Sequence, residues 1–272
     1  MASDIKRFHY YHADASAISG YIETPIDEQL PVVAPLSLSP IGGYASSRSE
    51  SVQFQGFISI DSAYTQVAGS ISHKTGGWTT LATSVVEGLN VLDVVTADRM
   101  VAQIATEHPR AGYNPKVSFL GTRFENLRVA GSPIEAAVNL NLCQQASGPD
   151  GYPQTSLFDD KNFRSAAEKQ ARAMTGGGNA SAWVGERCAW DNGQLEKRAV
   201  ISCSLVTQVS GKFPGTPYGH VLEVPEIGKV FLGELLVDHN TFRLIMMRLE
   251  LGCVTSGAMA GCVVSIEGST SP

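Results

Sequence analysis

Hydrophobic positions in this chain recur mostly at every second residue, the period of a strand with one buried face. In residues 52–67, Val52, Phe54, Gly56, Ile58 and Ile60 fall on one side. Gln53, Gln55, Phe57, Ser59 and Asp61 fall on the other. The pattern predicts one half-buried strand, with Gly56 marking a bulge. Residues 84–134 hold three further β-type runs, 85–92, 94–104 and 117–129, rich in Val, Leu, Ile, Phe and Thr and bounded by turn-forming residues. In the run 94–104, Val95, Ala97, Arg99, Val101 and Gln103 alternate with Val94, Thr96, Asp98, Met100, Ala102 and Ile104. Its ends therefore read as buried, and its middle places Asp98 and Arg99 on opposite faces.

The same reading extends along the chain. Residues 10–22 form a first strand of small side chains, and 134–142, 221–224, 229–237 and 242–251 form others. Asn192-Gly193, between runs 182–190 and 194–209, is a strong hairpin signal. Residues 41–51 are Gly/Ser-rich and read as a loop. Pro25, Pro31, Pro35 and Pro40 fall within 24–40, and proline cannot donate to a ladder, so this segment reads as an extended arm or edge. The period changes only in the insert 147–178. There Phe163, Ala166, Ala167, Gln170, Ala171 and Met174 share one face of a helix within about 156–175, with Ser156 or Asp159 as its cap and Gly176 as its stop. The expected fold is mainly β: one domain over residues 1–272, a sandwich-like antiparallel core with a Pro-rich arm and one helical insert.

Composition narrows the function. The 272 residues carry a formal net charge of −6, and only 17% are charged. No basic cluster is present, which argues against a nucleic-acid partner. No apolar run is long enough for a transmembrane segment. The first residues lack a signal-peptide core.

The strings VVEGLNVLDVVTADRMVAQI, FLGTRFENLRVAGSPI and HVLEVPEIGKVFLGELL occur in that order. They resemble the "nl.ll.glvtAd.v", "gst.f.nL.v.G.pi" and "lPg.GtV.Lne" strands of the bacterial choice-of-anchor P family. The matching pieces are residues 89–101, 121–134 and 224–234, and the opening strand HADASAISG is similar too. The resemblance implies a surface or secreted β protein and an extracellular or cell-surface location. It carries over no catalytic residues. The chain departs from the family in its helical insert and in ending GSTSP, without a sorting signal. The absence of a signal-peptide core keeps a cytoplasmic location open.

The leading expectation is a non-enzymatic structural protein that self-associates as a surface or filament subunit, with copies of itself as partner. Its assembly arm carries Ile26, Leu30, Val32, Val33, Leu36 and Leu38, apolar residues suited to a neighbour's sheet edge. A carbohydrate-binding module using Trp78, Trp183 and Trp190, with glycans as partner, is the first alternative. A hydrolase built from His220, His239 and carboxylates such as Glu223 or Glu234 is the second. His9 and His12 face opposite sides of an extended segment, a poor start for a metal site. No metal or other cofactor is expected. A final hairpin over 253–266, turning at Gly257-Ala258, sets Cys253 opposite Cys262 and predicts a disulfide in an oxidising compartment. The hairpin at Asn192-Gly193 sets Cys188 opposite Lys197 and so does not pair Cys188 with Cys203.

Overall fold

The computed structural model describes residues 7–175, 183–184, 200–252 and 255–271. Its first eight strands are β1 (Phe8–Tyr10), β2 (Ala13–Thr24), β3 (Glu28–Val33), β4 (Leu36–Ser37), β5 (Gly43–Phe54), β6 (Ile58–Ile71), β7 (Trp78–Val91) and β8 (Val95–His108). Shorter pieces follow: β9 (Lys116–Ser118), β10 (Arg123–Glu125), β11 (Arg128–Val129), β12 (Ser132–Pro133) and β13 (Glu135–Val138). After the helix α1 (Lys161–Thr175) come β14 (Ile201–Ser204), β15 (Val206–Ser210), β16 (Thr216–Tyr218), β17 (Val221–Val224), β18 (Gly228–Val237), β19 (Thr241–Leu251), β20 (Ser256–Glu267) and β21 (Ser269–Ser271).

Two antiparallel sheets pack face to face. One runs β12-β11-β8-β7-β6-β5, with β9 and β10 also on β8. The other runs β16-β17-β18-β19-β20-β2-β3, with β14 on β18 and β4 on β2. Val86, Met100, Ala102 and Ile104 of the first sheet and Ala17, Leu244, Met247 and Val264 of the second belong to one fully buried core. The short pair β1–β21 clasps the two ends of the described chain together. The mainly β sandwich with one helix matches the expectation.

Both sheets carry a transverse kink, and it explains why strict alternation fails. In the first, Ile58 and Ile60 of β6 are buried, then Ala63 and Val67. In β8, Val95 and Ala97 are buried, then Met100, Ala102 and Ile104. The inward face changes parity at the row Ser51–Asp61–Gly88–Asp98, flanked by the pairs Glu50↔Ser62, Val52↔Ile60, Glu87↔Arg99 and Leu89↔Ala97. Ser51 (φ 52°) and Gly88 (φ 62°) lie in the left-handed region. A residue there turns the following side chains to the other face, so neighbouring strands must change at the same place to keep the core apolar. The second sheet repeats the device along Ala17–Cys262–Met246–Gly233, with Cys262 (φ 50°) and Gly233 (φ 62°) left-handed.

Several elements differ from expectation. Residues 52–67 are not one strand: Gln55 and Gly56, at φ 48° and 73°, make a tight turn closed by Phe57 N–H donating to Phe54 O at 2.9 Å. Both φ values are positive, as a type I′ hairpin turn requires. The supposed loop 41–51 becomes most of β5, because its serines suit a half-exposed edge. Run 117–129 breaks into three short strands around Gly121 and Asn126, both at positive φ. Asp160, rather than Ser156 or Asp159, caps α1, accepting from Phe163 N–H at 2.8 Å. The final hairpin is replaced by one strand, β20, lying between β19 and β2, with Gly257 opposite Leu251. Asn192-Gly193, Cys188 and Gly176 lie outside the described residues.

Candidate functional site

Four buried polar atoms without a hydrogen-bond partner gather at the clasp end of the sandwich. They are His9 Nε2, Thr80 Oγ1, Thr106 Oγ1 and His108 Nδ1. The strand register explains their meeting. Trp78 pairs with His108, and Thr80 with Thr106, on adjacent inward-facing positions of β7 and β8. β1 then brings His9 onto them: its ring centroid lies 4.5 Å from that of His108, and it stacks on Trp78 at 5.3 Å. Tyr11 meets His9 edge-on at 4.7 Å.

Each imidazole is anchored on one nitrogen and bare on the other. His9 Nδ1 lies 3.1 Å from the Thr270 hydroxyl. His108 bonds the Gly268 main chain, and Gly268 gives it room: a Cβ there would lie 2.7 Å from His108 Cε1 and 3.1 Å from His9 Cε1. Burial lowers the His9 pKa to about 4. Burial, with His9 close by, lowers that of His108 to about 3. Both rings are therefore neutral at pH 7.

Exposed apolar residues lie at the same end of the sandwich as this cluster. Phe8 (56%), Tyr10 (56%), Ile41 (91%), Tyr44 (65%), Ile71 (60%) and Tyr113 (62%) are all solvent-facing. They share one end because Tyr11 lies against Gly42 and Gly69, Ile71 pairs with Trp78, and the Arg7 guanidinium sits 5.2 Å over the Tyr113 ring. The unpaired edge of β5 begins at the same end.

A cleft of about 460 Å³ lies beside β8 and β9; its lining includes Thr106 together with Thr79, Glu107, Lys116, Ser118, Gln144 and Gln145. Thr75 and Tyr152 hydroxyls both donate to Glu107 Oε1, at 2.9 Å each, which fixes that carboxylate.

The residues singled out in the sequence fall elsewhere. Leu30, Val33 and Leu38 of the arm are buried in this chain's own core, Ile26 and Leu36 pack against it, and Val32 is exposed. The arm adds to a sheet edge as its pattern suggested, but the edge is that of its own β2, through β3 and β4. Trp78 is buried, Trp183 packs on Tyr218 and Phe231, and Trp190 lies outside the described residues. His220 precedes β17, whereas His239 follows β18 and packs on Phe158 at 4.2 Å. His220 O accepts from Leu232 N–H at the middle of β18, whereas His239 lies two residues beyond the strand's end at Val237. Glu234 is held in the fork of Arg248. These groups do not converge.

Cys262 is a free buried thiol, as are Cys143 and Cys203, and Cys253 lies outside the described residues. The observed register removes the reason for pairing Cys253 with Cys262, because the place opposite Cys262 on β19 is Met246's. Among the described residues, the cysteines then carry no information about compartment. His12, paired with His9 in sequence, faces Asp14 and Glu267 at 3.2 and 3.4 Å. The partner of His9 is His108, 99 positions away, which no local spacing reveals.

One family model matches residues 9–238, which include the arm, the first sheet and the second sheet as far as β18; it is described as a domain of unknown function (DUF8256). The chain belongs to this family. No curated protein matches it, and no solved structure does. The DUF8256 match spans His9, Trp78, Thr80, Thr106 and His108 but stops before Gly268 and Thr270, which anchor the two rings. Among the described residues, no helix is long and apolar enough to cross a membrane.

Proposed function

We propose that this DUF8256 domain is a non-enzymatic structural domain that self-associates, in an extracellular or cell-surface setting. The observation that supports it best is the exposed rim of Phe8, Tyr10, Ile41, Tyr44, Ile71 and Tyr113 at one end of the sandwich. Large apolar groups gathered at one place favour an interface, and tyrosine suits a surface that is wet when free and buried when paired. The open edge of β5 begins at Tyr44 and offers unpaired main-chain groups to the same partner, a second copy. The resemblance to choice-of-anchor P proteins supports the setting. Sedimentation equilibrium tests the reading: mass should rise with concentration above the 28.9 kDa of one chain, and a Tyr44→Ser/Ile71→Ser variant should shift the rise to higher concentration. A monomer at every concentration up to about 1 mM refutes it.

A second reading rests on the cleft at Glu107. Its wall of hydroxyls, two glutamine side chains, one carboxylate and one ammonium suits a polar ligand such as a glycan. Glycan-array binding that is lost in Glu107→Gln supports it; no binding by the wild type ends it.

A further inference from the structure

Buried polar side chains in folded proteins are nearly always satisfied. Four unsatisfied atoms on adjacent positions, all in residues more than nine-tenths buried, therefore mark a place built for an occupant. Its chemistry follows from the atoms. Two neutral imidazoles meet with their Cε1 atoms around Gly268, and each keeps one bare nitrogen, His9 Nε2 and His108 Nδ1. Each ring is fixed from behind, by the Thr270 hydroxyl or the Gly268 main chain, in the manner of metal-ligating histidines whose second nitrogen is held by an outer partner.

We propose that this cluster binds one transition-metal ion through His9 Nε2 and His108 Nδ1. Two imidazoles at metal–nitrogen distances of about 2.0–2.1 Å have ring centroids roughly 4.5–5 Å apart when the angle at the metal is near 90–105°. The observed separation is 4.5 Å. Nitrogen ligands select zinc, copper or nickel over magnesium and calcium, which take oxygen. Among the described residues, no three His, Cys, Asp or Glu side chains converge. The remaining coordination positions therefore go to water, held by the Thr80 and Thr106 hydroxyls. β1 is three residues long and bonded to β21, so brief opening of this pair admits the ion. Once bound, the ion ties β1 to β8. This inference does not depend on self-association.

Metal-free protein, stripped with chelator, is titrated with Zn²⁺, Cu²⁺ and Ni²⁺ by calorimetry, with thermal unfolding and tryptophan fluorescence as parallel readouts. One ion per chain, a raised Tm and quenching by Cu²⁺ of Trp78, which stacks on His9, are expected. His9→Gln and His108→Gln should each weaken binding at least 100-fold, and His12→Gln should leave it unchanged. Thr270→Val keeps both ligands and should cost about 10–100-fold; it serves if a histidine variant does not fold. Absence of saturable binding to the wild type overturns the proposal. So does binding that survives in the His9→Gln/His108→Gln double variant.

Discussion

The thiol of Cys262 in β20 donates to the main-chain carbonyl of Met100 in β8, 3.5 Å away through the interior of the sandwich. Ser84 of β7 makes a second link of the same kind, its hydroxyl donating to Ser16 O of β2 at 2.9 Å. These bonds tie the two sheets to each other across the interior. Burial pushes the Cys262 thiol up to about 12, so it stays protonated and a poor nucleophile. In the native protein, Cys262, Cys143 and Cys203 should resist a thiol reagent and react at the rate of unfolding; peptide mapping after timed labelling checks this. Rapid native labelling of Cys262 contradicts the packing described.

Gly88 anchors the kink of the first sheet. At φ 62° a side chain is strained, and a Cβ there would collide with the Asp61 carboxylate. Gly88→Ala should therefore cost more than the roughly 1–2 kcal/mol of left-handed strain. Adding Asp61→Ala should recover the collision with the carboxylate but leave the backbone part and the close approach to the Asp61 Cβ, 2.9 Å away. Urea unfolding of the two single variants and the double variant measures the difference as a mutant cycle.

Arg248 clasps Glu234 with two hydrogen bonds, at 2.6 and 3.1 Å, also bonds Glu250, and lies 3.7 Å over the Phe231 ring. The Glu234 side chain is only 5% exposed. Arg248→Met keeps an apolar stem but takes two charge-assisted hydrogen bonds from a buried carboxylate, a loss of about 3–5 kcal/mol. Replacing Glu234 by Leu in the same chain should restore most of it, because the pair is costly to break and cheap to replace. Denaturation midpoints of the single and double variants decide this.

Gln170 docks the helix. Its amide accepts from Ser204 N–H at 2.9 Å and donates to Ser204 O at 2.8 Å, completing β14 as a neighbouring strand does. Gln170→Ala leaves both buried main-chain groups bare, at about 1–3 kcal/mol each. Hydrogen exchange at Ser204 should accelerate more than at Leu232 in β18.

Period-2 patterning is a local property, and it was enough to find β2, β17, β18 and β19 close to their bounds, most of β8 and the second half of β7. The 3.6-residue period likewise found α1, whose Phe163, Ala167, Ala171 and Met174 are buried. Both signals arise from neighbours in the chain, so the sequence by itself determined the fold class and the inward faces of single elements. The parity change at Ser51, Asp61, Gly88 and Asp98 was not legible, because a left-handed serine looks like any serine until three adjacent strands require the turn. The arm's destination depended on which edge lay nearest, and β2 of the same chain covers Leu30 and Val33. The register of β20 was fixed by β19 and β2 on its two sides, which overrode the turn signal at Gly257-Ala258. His9 and His108 meet only because β1 pairs with β21 while Trp78 pairs with His108. Those contacts span the length of the chain, and strand pairing together with side-chain burial decided them.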